Sequence, residues 1–315
     1  MPKLPRCAVF LSLLAASFFA QAAPKQEPEI LIEDVTRFYA LYDATGGKPT
    51  VEQIEKDYLA KGTPSLSLFA KSRRVTAQSI VDRLAKDPAV YAKAKECLVK
   101  LPAVKRRVAL ALDKLADLYP AARFPPVAIV VGRGRPVGMG DPNGLTIGLE
   151  ALCAAEFMNP DAEDRFVHVI AHEYAHIQQT APTEFAEGDP TATVLRVALA
   201  EGVAEFVAEL TSGNVGNGRH AEWTRGKEAE IEKAFVRDMD GTESSAWFSN
   251  FTGPDQPYDL GYWVGYRIVK AYYLQSKDRK AALKRIIEMD DPKAFLAQSG
   301  WTPGKRLPAS VFGTD

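Results

Sequence analysis

The segment AHEYAHIQQ, Ala171 to Gln179, restricts the fold more than any other part of the chain. His172 and His176 are four apart, and Glu173 directly follows the first. Only on a helix do residues four apart lie one turn above each other on one face. There, two imidazoles converge on one metal ion at bond lengths of about 2.1 Å. Glu173 is rotated by about 100° from His172 on such a helix, so it stands beside the metal face and reaches a water there without being a ligand. Metal-assisted hydrolysis uses H-E-x-x-H in this way. With 4 histidines in the chain, the pattern arises by chance in roughly one such chain in a few hundred.

The flanking sequence supports the helix. Asn159 or Asp161 is suited to the N-cap and Pro160 to the first turn. Asp161, Glu163 and Asp164 favour the positive end of the helix dipole. The helix is expected to reach about Gln179, before Pro182. His168 lies one further turn back. On a straight helix it stands about 12 Å from His176, too far for both to bind one tetrahedral ion. A packing or supporting role is expected for it.

A third ligand must therefore come from elsewhere. Glu184, Glu187, Asp189, Glu201, Glu205 and Glu209 follow in the chain. The stretch LAEGVAEFVAEL, Leu199 to Leu210, singles out Glu201. Glu201 and Glu205 share a face of a second helix, expected from Asp189-Pro190 to about Ser212. They sit among Leu199, Val203 and Phe206, where an unused carboxylate is costly. Ala198 and Gly202 allow another helix to approach closely. Glu201 is assigned as ligand, and Glu205 as the partner that orients a ligand histidine. Zn2+ suits a set of two histidines and one glutamate.

Elsewhere the texture changes along the chain. Residues 29–118 read as helices, the first carrying Ile30, Ile32, Val35, Phe38, Tyr39 and Tyr42 and ended by Thr45-Gly46-Gly47. PPVAIVVG (125–132) and LTIGLEAL (145–152) read as strands, with a Gly/Pro-rich loop between them. Residues 221–299 read as mostly helical, and those from Gly300 as irregular. The fold class expected is α+β and mainly helical, with a small mixed sheet beside the HExxH helix. The divisions are a leader (1–22), an N-terminal helical region (23–120), a catalytic region (121–220) and a C-terminal helical region (221–315), in one compact unit.

Composition is ordinary for a globular chain, 46% hydrophobic and 25% charged, with a formal net charge of −1. No single-sign block marks a nucleic-acid binder. The N-terminus has the layout of an export signal: Lys3 and Arg6, an apolar run to Ala20, then Ala20-Gln21-Ala22 before a cut after Ala22. The run is too short to span a bilayer, so no stable membrane anchor is expected after cleavage. Export to the periplasm or beyond is expected. Removing the leader leaves 37 basic and 40 acidic residues, a net of −3. Cys97 and Cys153 remain, either as a disulfide or as two buried thiols.

HEYAH followed by EGVAE resembles the gluzincin pattern. More closely, the chain resembles a bacterial family described as predicted zinc-dependent proteases. EDVTRFYALYDAT, IEKDYLAKGTPSLSLFAKSR, VVGRG…GMGDPNGLTIGLEAL and GYWVGYRIVKAYY resemble that family's blocks in order, over most of residues 30–290. The resemblance implies a zinc metallopeptidase acting on a peptide or protein substrate. Zinc held by His172, His176 and Glu201 acidifies a water, and Glu173 serves as general base and then as acid. It also implies a peptide laid along a sheet edge, for which the strand Leu145 to Leu149 is the candidate. A tyrosine hydroxyl then stabilises the oxyanion. Tyr258, Tyr262 and Tyr266 form one stripe at helical spacing; Tyr262 is preferred and Tyr266 is second, against a plain aromatic core. Arg267 is either a carboxylate binder or a surface charge.

Three other functions are weighed. One is a non-catalytic zinc-binding protein, although structural zinc is usually closed by four protein ligands, often cysteines. Another is a zinc hydrolase of a non-peptide bond. The third is an aminopeptidase, suggested by GMGDPN (138–143), which lacks the glutamate of the exopeptidase loop it faintly resembles.

Overall fold

The computed structural model describes residues 27–312, apart from 136, 142–143, 157, 184, 187, 214–215, 217 and 254–256. The leader, Glu184, Glu187 and the end of GMGDPN fall outside the described residues. No helix among the described residues is long and apolar enough to cross a membrane.

The fold is α+β and mainly helical, with one four-stranded mixed sheet. Its strands are β1 (Ile30–Leu31), β2 (Val127–Val130), β3 (Gly138–Asp141) and β4 (Gly144–Gly148), in the order β1-β2-β4-β3. The first three in that order run parallel, and β3 is antiparallel to β4. Val127 to Val130 are all buried, which matches their unbroken apolar run. Where β2 ends, buried Tyr58 extends its pairing: its hydroxyl donates to Val131 O at 2.7 Å and accepts from Val131 N–H at 2.8 Å. Glu150 then holds the next turn by accepting from the N–H groups of Gly132 and Gly134.

Four expectations change here. Ile30 belongs to a short strand, because β1 pairs with β2 before the first helix begins at Glu33. The stretch expected to be one strand over 145–152 turns into a helix at Leu149, with Glu150 at its start. The loop expected between the two strands contains β3, pinned by hydrogen bonds to β4 that its glycines do not announce. Finally, β4 is an interior strand with β2 on one side and β3 on the other. Leu145 to Leu149 therefore has no free edge for a peptide, and β3 carries the edge instead.

The helix with the histidine motif spans Ala162–Gln178, capped by Asp161, whose carboxylate accepts from Asp164 N–H. The helix with Glu201 spans Val194–Ser212. It starts later than expected, at a Thr193 cap, because Asp189 closes a tight turn onto Thr191. Gly213, at φ 84°, ends it. A third helix, Leu260–Gln275, carries Tyr262 and Tyr266, whereas Tyr258 precedes it. The second and third helices meet through glycine. A Cβ on Gly202 would lie 2.1 Å from Gly265 C, and one on Gly265 would lie 1.7 Å from Ala198 O. This backbone contact is what brings the tyrosine helix up to Glu201.

Buried charges tie down the C-terminal tail. Glu209 accepts from Val311 N–H and from the Tyr266 hydroxyl. Glu232 accepts from Gly304 N–H, from Trp301 Nε1 and from Arg267. Arg267 thus serves neither of its expected roles, since its guanidinium stacks on Trp263 and bonds Glu232 and the Lys305 carbonyl. Cys97 and Cys153 form a disulfide with Cα atoms 6.4 Å apart, linking the N-terminal helices to the helix after β4.

Two outcomes follow. Replacing both cysteines by alanine opens a loop of 56 residues, and should lower unfolding free energy by about 4 kcal/mol on the chain-entropy account. Denaturant titration of the oxidised protein and the double variant checks this; equal midpoints would refute it. Gly265→Ala should force the two helices apart, destabilise the fold by about 1–3 kcal/mol, and weaken metal binding at Glu201. A stable variant with unchanged metal affinity would show that the close contact is dispensable.

Candidate metal centre

The histidine helix runs alongside both β3 and the Glu201 helix. The first turn of the motif therefore faces carboxylates across the helix pair. Three atoms converge: His172 Nε2 and His176 Nε2 are 3.1 Å apart, and each is 3.3 Å from Glu201 Oε2. A tetrahedral ion with bonds of about 2.1 Å places its ligand atoms about 3.4 Å from one another. The donor triangle has that size without any rearrangement.

The tautomers are set from the far side. His172 Nδ1 lies 3.1 Å from Glu205 Oε1, so it donates to that carboxylate. His176 Nδ1 donates to Gln179 Oε1 at 2.7 Å, and Gln179 is itself oriented by donating to Ala200 O at 2.9 Å. Each ring proton is thereby held on Nδ1, and both Nε2 lone pairs point at an anionic oxygen. Glu205 also reaches back, with its second oxygen 3.2 Å from His168 Nε2. His168 is thus a support for Glu205, not a ligand of the three-atom site. Gly216 closes over this pair, where a Cβ would lie 2.0 Å from His168 Nε2.

The electrostatics agree. Burial disfavours charge on His172, yet Glu201 and Glu205 outweigh it and raise its pKa well above the ordinary imidazole value. Burial likewise opposes protonation of His176, and Glu201 raises its pKa. Burial also works against the Glu201 carboxylate, but the two histidines hold its pKa down to about 2. The site draws in positive charge, whether as protons or as a metal. Among the described residues, His172, His176 and Glu201 form a group able to hold an ion, and no fourth such residue joins them. His168, His172 and Glu205 form a second group, which the hydrogen-bonding role of Glu205 explains.

Glu173 stands beside this triangle. Its carboxylate lies against β3, where a Cβ on Gly138 would approach Oε1 to 2.6 Å and one on Gly140 would approach Oε2 to 3.4 Å. Burial, followed by the repulsion of Glu201, raises its pKa against the opposing histidines. Tyr262 reaches the centre as well. Its ring is nearly parallel to that of His172, at 18° and 6.3 Å between centroids. Burial and the nearby carboxylates, Glu201 first, raise the pKa of its hydroxyl well above the ordinary value. Tyr266 is turned elsewhere: its hydroxyl donates to Glu209 Oε2 at 2.6 Å and accepts from Lys270 at 2.7 Å. Tyr258 packs with Trp223 and Phe251, away from the stripe.

The structure brings His172, Glu173, His176, Glu201, Glu205 and Tyr262 together, and adds Gln179, Gly138 and Gly140, which the sequence did not single out. Gln179 was legible, since it follows His176 by three residues at the helix end.

Residues 152–290 match the family model described as Predicted Zn-dependent protease (DUF2268). This part of the chain is similar to that family. The match spans the histidine helix, the Glu201 helix and the Tyr262 helix. The similar blocks before Leu152 lie outside the matched range. No curated protein and no solved structure matches the chain.

Zinc titration tests the centre. Metal binding requires neutral imidazoles, and the raised pKa values of His172 and His176 keep them protonated to higher pH. Zinc affinity should therefore climb as pH rises through and beyond about 6.5, the ordinary imidazole value. A flat profile across that range would contradict the proposed competition. Glu205→Gln should weaken zinc binding about 10- to 100-fold, and Glu201→Ala should abolish stoichiometric binding. Full retention in Glu201→Ala would move the third ligand to another residue.

Proposed function

We propose that this chain is an exported zinc-dependent peptidase of gluzincin type. One observation carries the reading: three lone-pair donors meet at zinc-ligand spacing while Glu173 lies beside them against the face of β3, an outermost strand of the sheet among the described residues. Zinc, held by His172, His176 and Glu201, would supply Lewis acidity to a water and to the scissile carbonyl.

The chain's own residues do the rest. Glu173, held partly desolvated under Gly138 and Gly140, takes a proton from the attacking water and returns it to the leaving amine. Its raised pKa suits it to both transfers. Tyr262 stays protonated through burial, so its hydroxyl can donate to the carbonyl oxygen as negative charge develops. An extended peptide adds to the outer edge of β3 by main-chain hydrogen bonds. Because the glycines of β3 have no side chains, that peptide would run close to the Glu173 carboxylate. The absence of a fourth ligand from this group among the described residues favours catalysis over a closed structural site. The leader-like N-terminus and the Cys97–Cys153 disulfide support export.

A quenched-peptide library, digested with the zinc-loaded mature protein, tests the proposal. Cleavage should stop on chelation and return with zinc. Glu173→Gln should retain zinc and lose activity by about 10²- to 10⁴-fold, and Tyr262→Phe by about 10²- to 10³-fold with little change in KM. A zinc-replete wild type that cleaves nothing in the library would leave a zinc-binding protein or a hydrolase of another bond. Normal turnover in Glu173→Gln would remove the general-base assignment.

A further inference from the structure

We infer that the centre recognises a carboxylate on its substrate, through Arg123. The inference rests on the peptidase reading for where the substrate lies. A cavity of about 300 Å³ opens directly beside the metal triangle. His176 forms one wall, Gly140 of the edge strand another, and Arg123 stands at its rim with Thr180 and Thr183. A peptide lying on β3 next to the metal must pass this cavity.

Arg123 is held there by the histidine helix itself. The side-chain amide of buried Gln178 accepts from Arg123 N–H at 2.8 Å and donates to Arg123 O at 2.9 Å. Two residues on, Pro125 O accepts from the Tyr174 hydroxyl at 2.6 Å. Arg123 is thus clamped to the same helix that carries His172 and His176. Its side chain is exposed, and one guanidinium nitrogen donates to Ile177 O at 2.7 Å. That bond covers a carbonyl at the helix C-terminus, whose partial negative charge would otherwise repel an anion. A guanidinium has five N–H donors, so the remainder are available to a planar carboxylate in paired geometry. No carboxylate lines the cavity among the described residues. The Arg123 guanidinium thus offers this cavity a positive charge that an acidic group on the substrate would satisfy. That group is either an Asp or Glu side chain near the scissile bond or the α-carboxylate of a chain end.

Binding separates these sources without relying on turnover. The probes are acetylated tetra-alanine amides carrying Asp, Glu or Asn at one position, together with acetyl-tetra-alanine bearing a free C-terminus. They are titrated calorimetrically into zinc-loaded protein in the Glu173→Gln background. An acidic probe should bind at least about tenfold more tightly than its Asn or amide counterpart. Arg123→Gln should erase that gain with zinc content unchanged, and Arg123→Glu should shift preference to Lys-containing probes. A gain confined to Asp and Glu probes assigns side-chain recognition; a gain confined to the free C-terminus assigns chain-end recognition. No acid preference would overturn the inference. So would a preference that survives Arg123→Gln, because the metal or another cation would then be taking the acid. The outcomes also separate the two readings: cleavage without acid preference sinks only this one, and Arg123-dependent binding without cleavage of any peptide sinks only the peptidase.

Discussion

Two neutral imidazole nitrogens and a carboxylate oxygen, each within 3.3 Å of the others, repel unless positive charge lies between them. Most of the molecule around them acts to keep them there. Glu205 and Gln179 remove the option of turning a ring proton inward, by holding both protons on the outer nitrogens. Glu205 is steadied by His168, and Gln179 by the Ala200 carbonyl. Protons on the imidazoles supply that positive charge when no metal is bound, as the raised pKa values of His172 and His176 reflect, and a metal would take their place.

The distribution of legible and illegible features follows from how far each depends on distant chain. His172, Glu173 and His176 lie within one helical turn and a half, so their relation is set by local geometry alone. Glu201 and Glu205 share a helix face, and their apolar neighbours made an idle role costly. What periodicity could not show was pairing. Ile30 looks like the first residue of a helical stripe and becomes a strand only because β2 lies alongside it. Gly138 to Asp141 has no strand propensity, and its conformation comes from β4. Tyr262 and Tyr266 are equivalent by spacing, yet Glu209 and Lys270 claim one of them. Both of those partners are themselves buried; Lys270 stands one turn on from Tyr266 in the same helix, but Glu209 could not be placed opposite Tyr266 without knowing how the two helices pack.

That tail explains an otherwise expensive choice. Glu209, Glu232 and Lys270 are almost fully buried, where apolar residues of equal size are often at least as stable. Their partners are backbone groups of residues 304–311 as well as one another. An irregular segment leaves backbone donors and acceptors unpaired, and buried charges satisfy them more strongly than neutral groups do. The cost of burying the charges thus holds a segment with no secondary structure of its own. It also keeps Tyr266 and Lys270 occupied, which leaves Tyr262 as the tyrosine facing the metal ligands.

On the proposed peptidase reading, the glycines of β3 resolve a geometric conflict at the centre. A general base must lie close to the attacking water, and a substrate strand must lie close to the same point. Side chains on the edge strand would fill the space between them. Gly138 and Gly140 face the histidine helix, on the side of the sheet where they pair with Ile147 and Leu145. Leaving that face bare lets the Glu173 carboxylate rest against the strand backbone while the outer edge stays free for pairing. The same absence weakens the strand, since glycine adds neither packing nor β preference. Its conformation is recovered through the hydrogen bonds to β4, an interior strand buried on both faces. On the proposed peptidase reading, a weak edge strand supported by a strong interior one is therefore what would let base, metal ligands and an extended peptide occupy one narrow space.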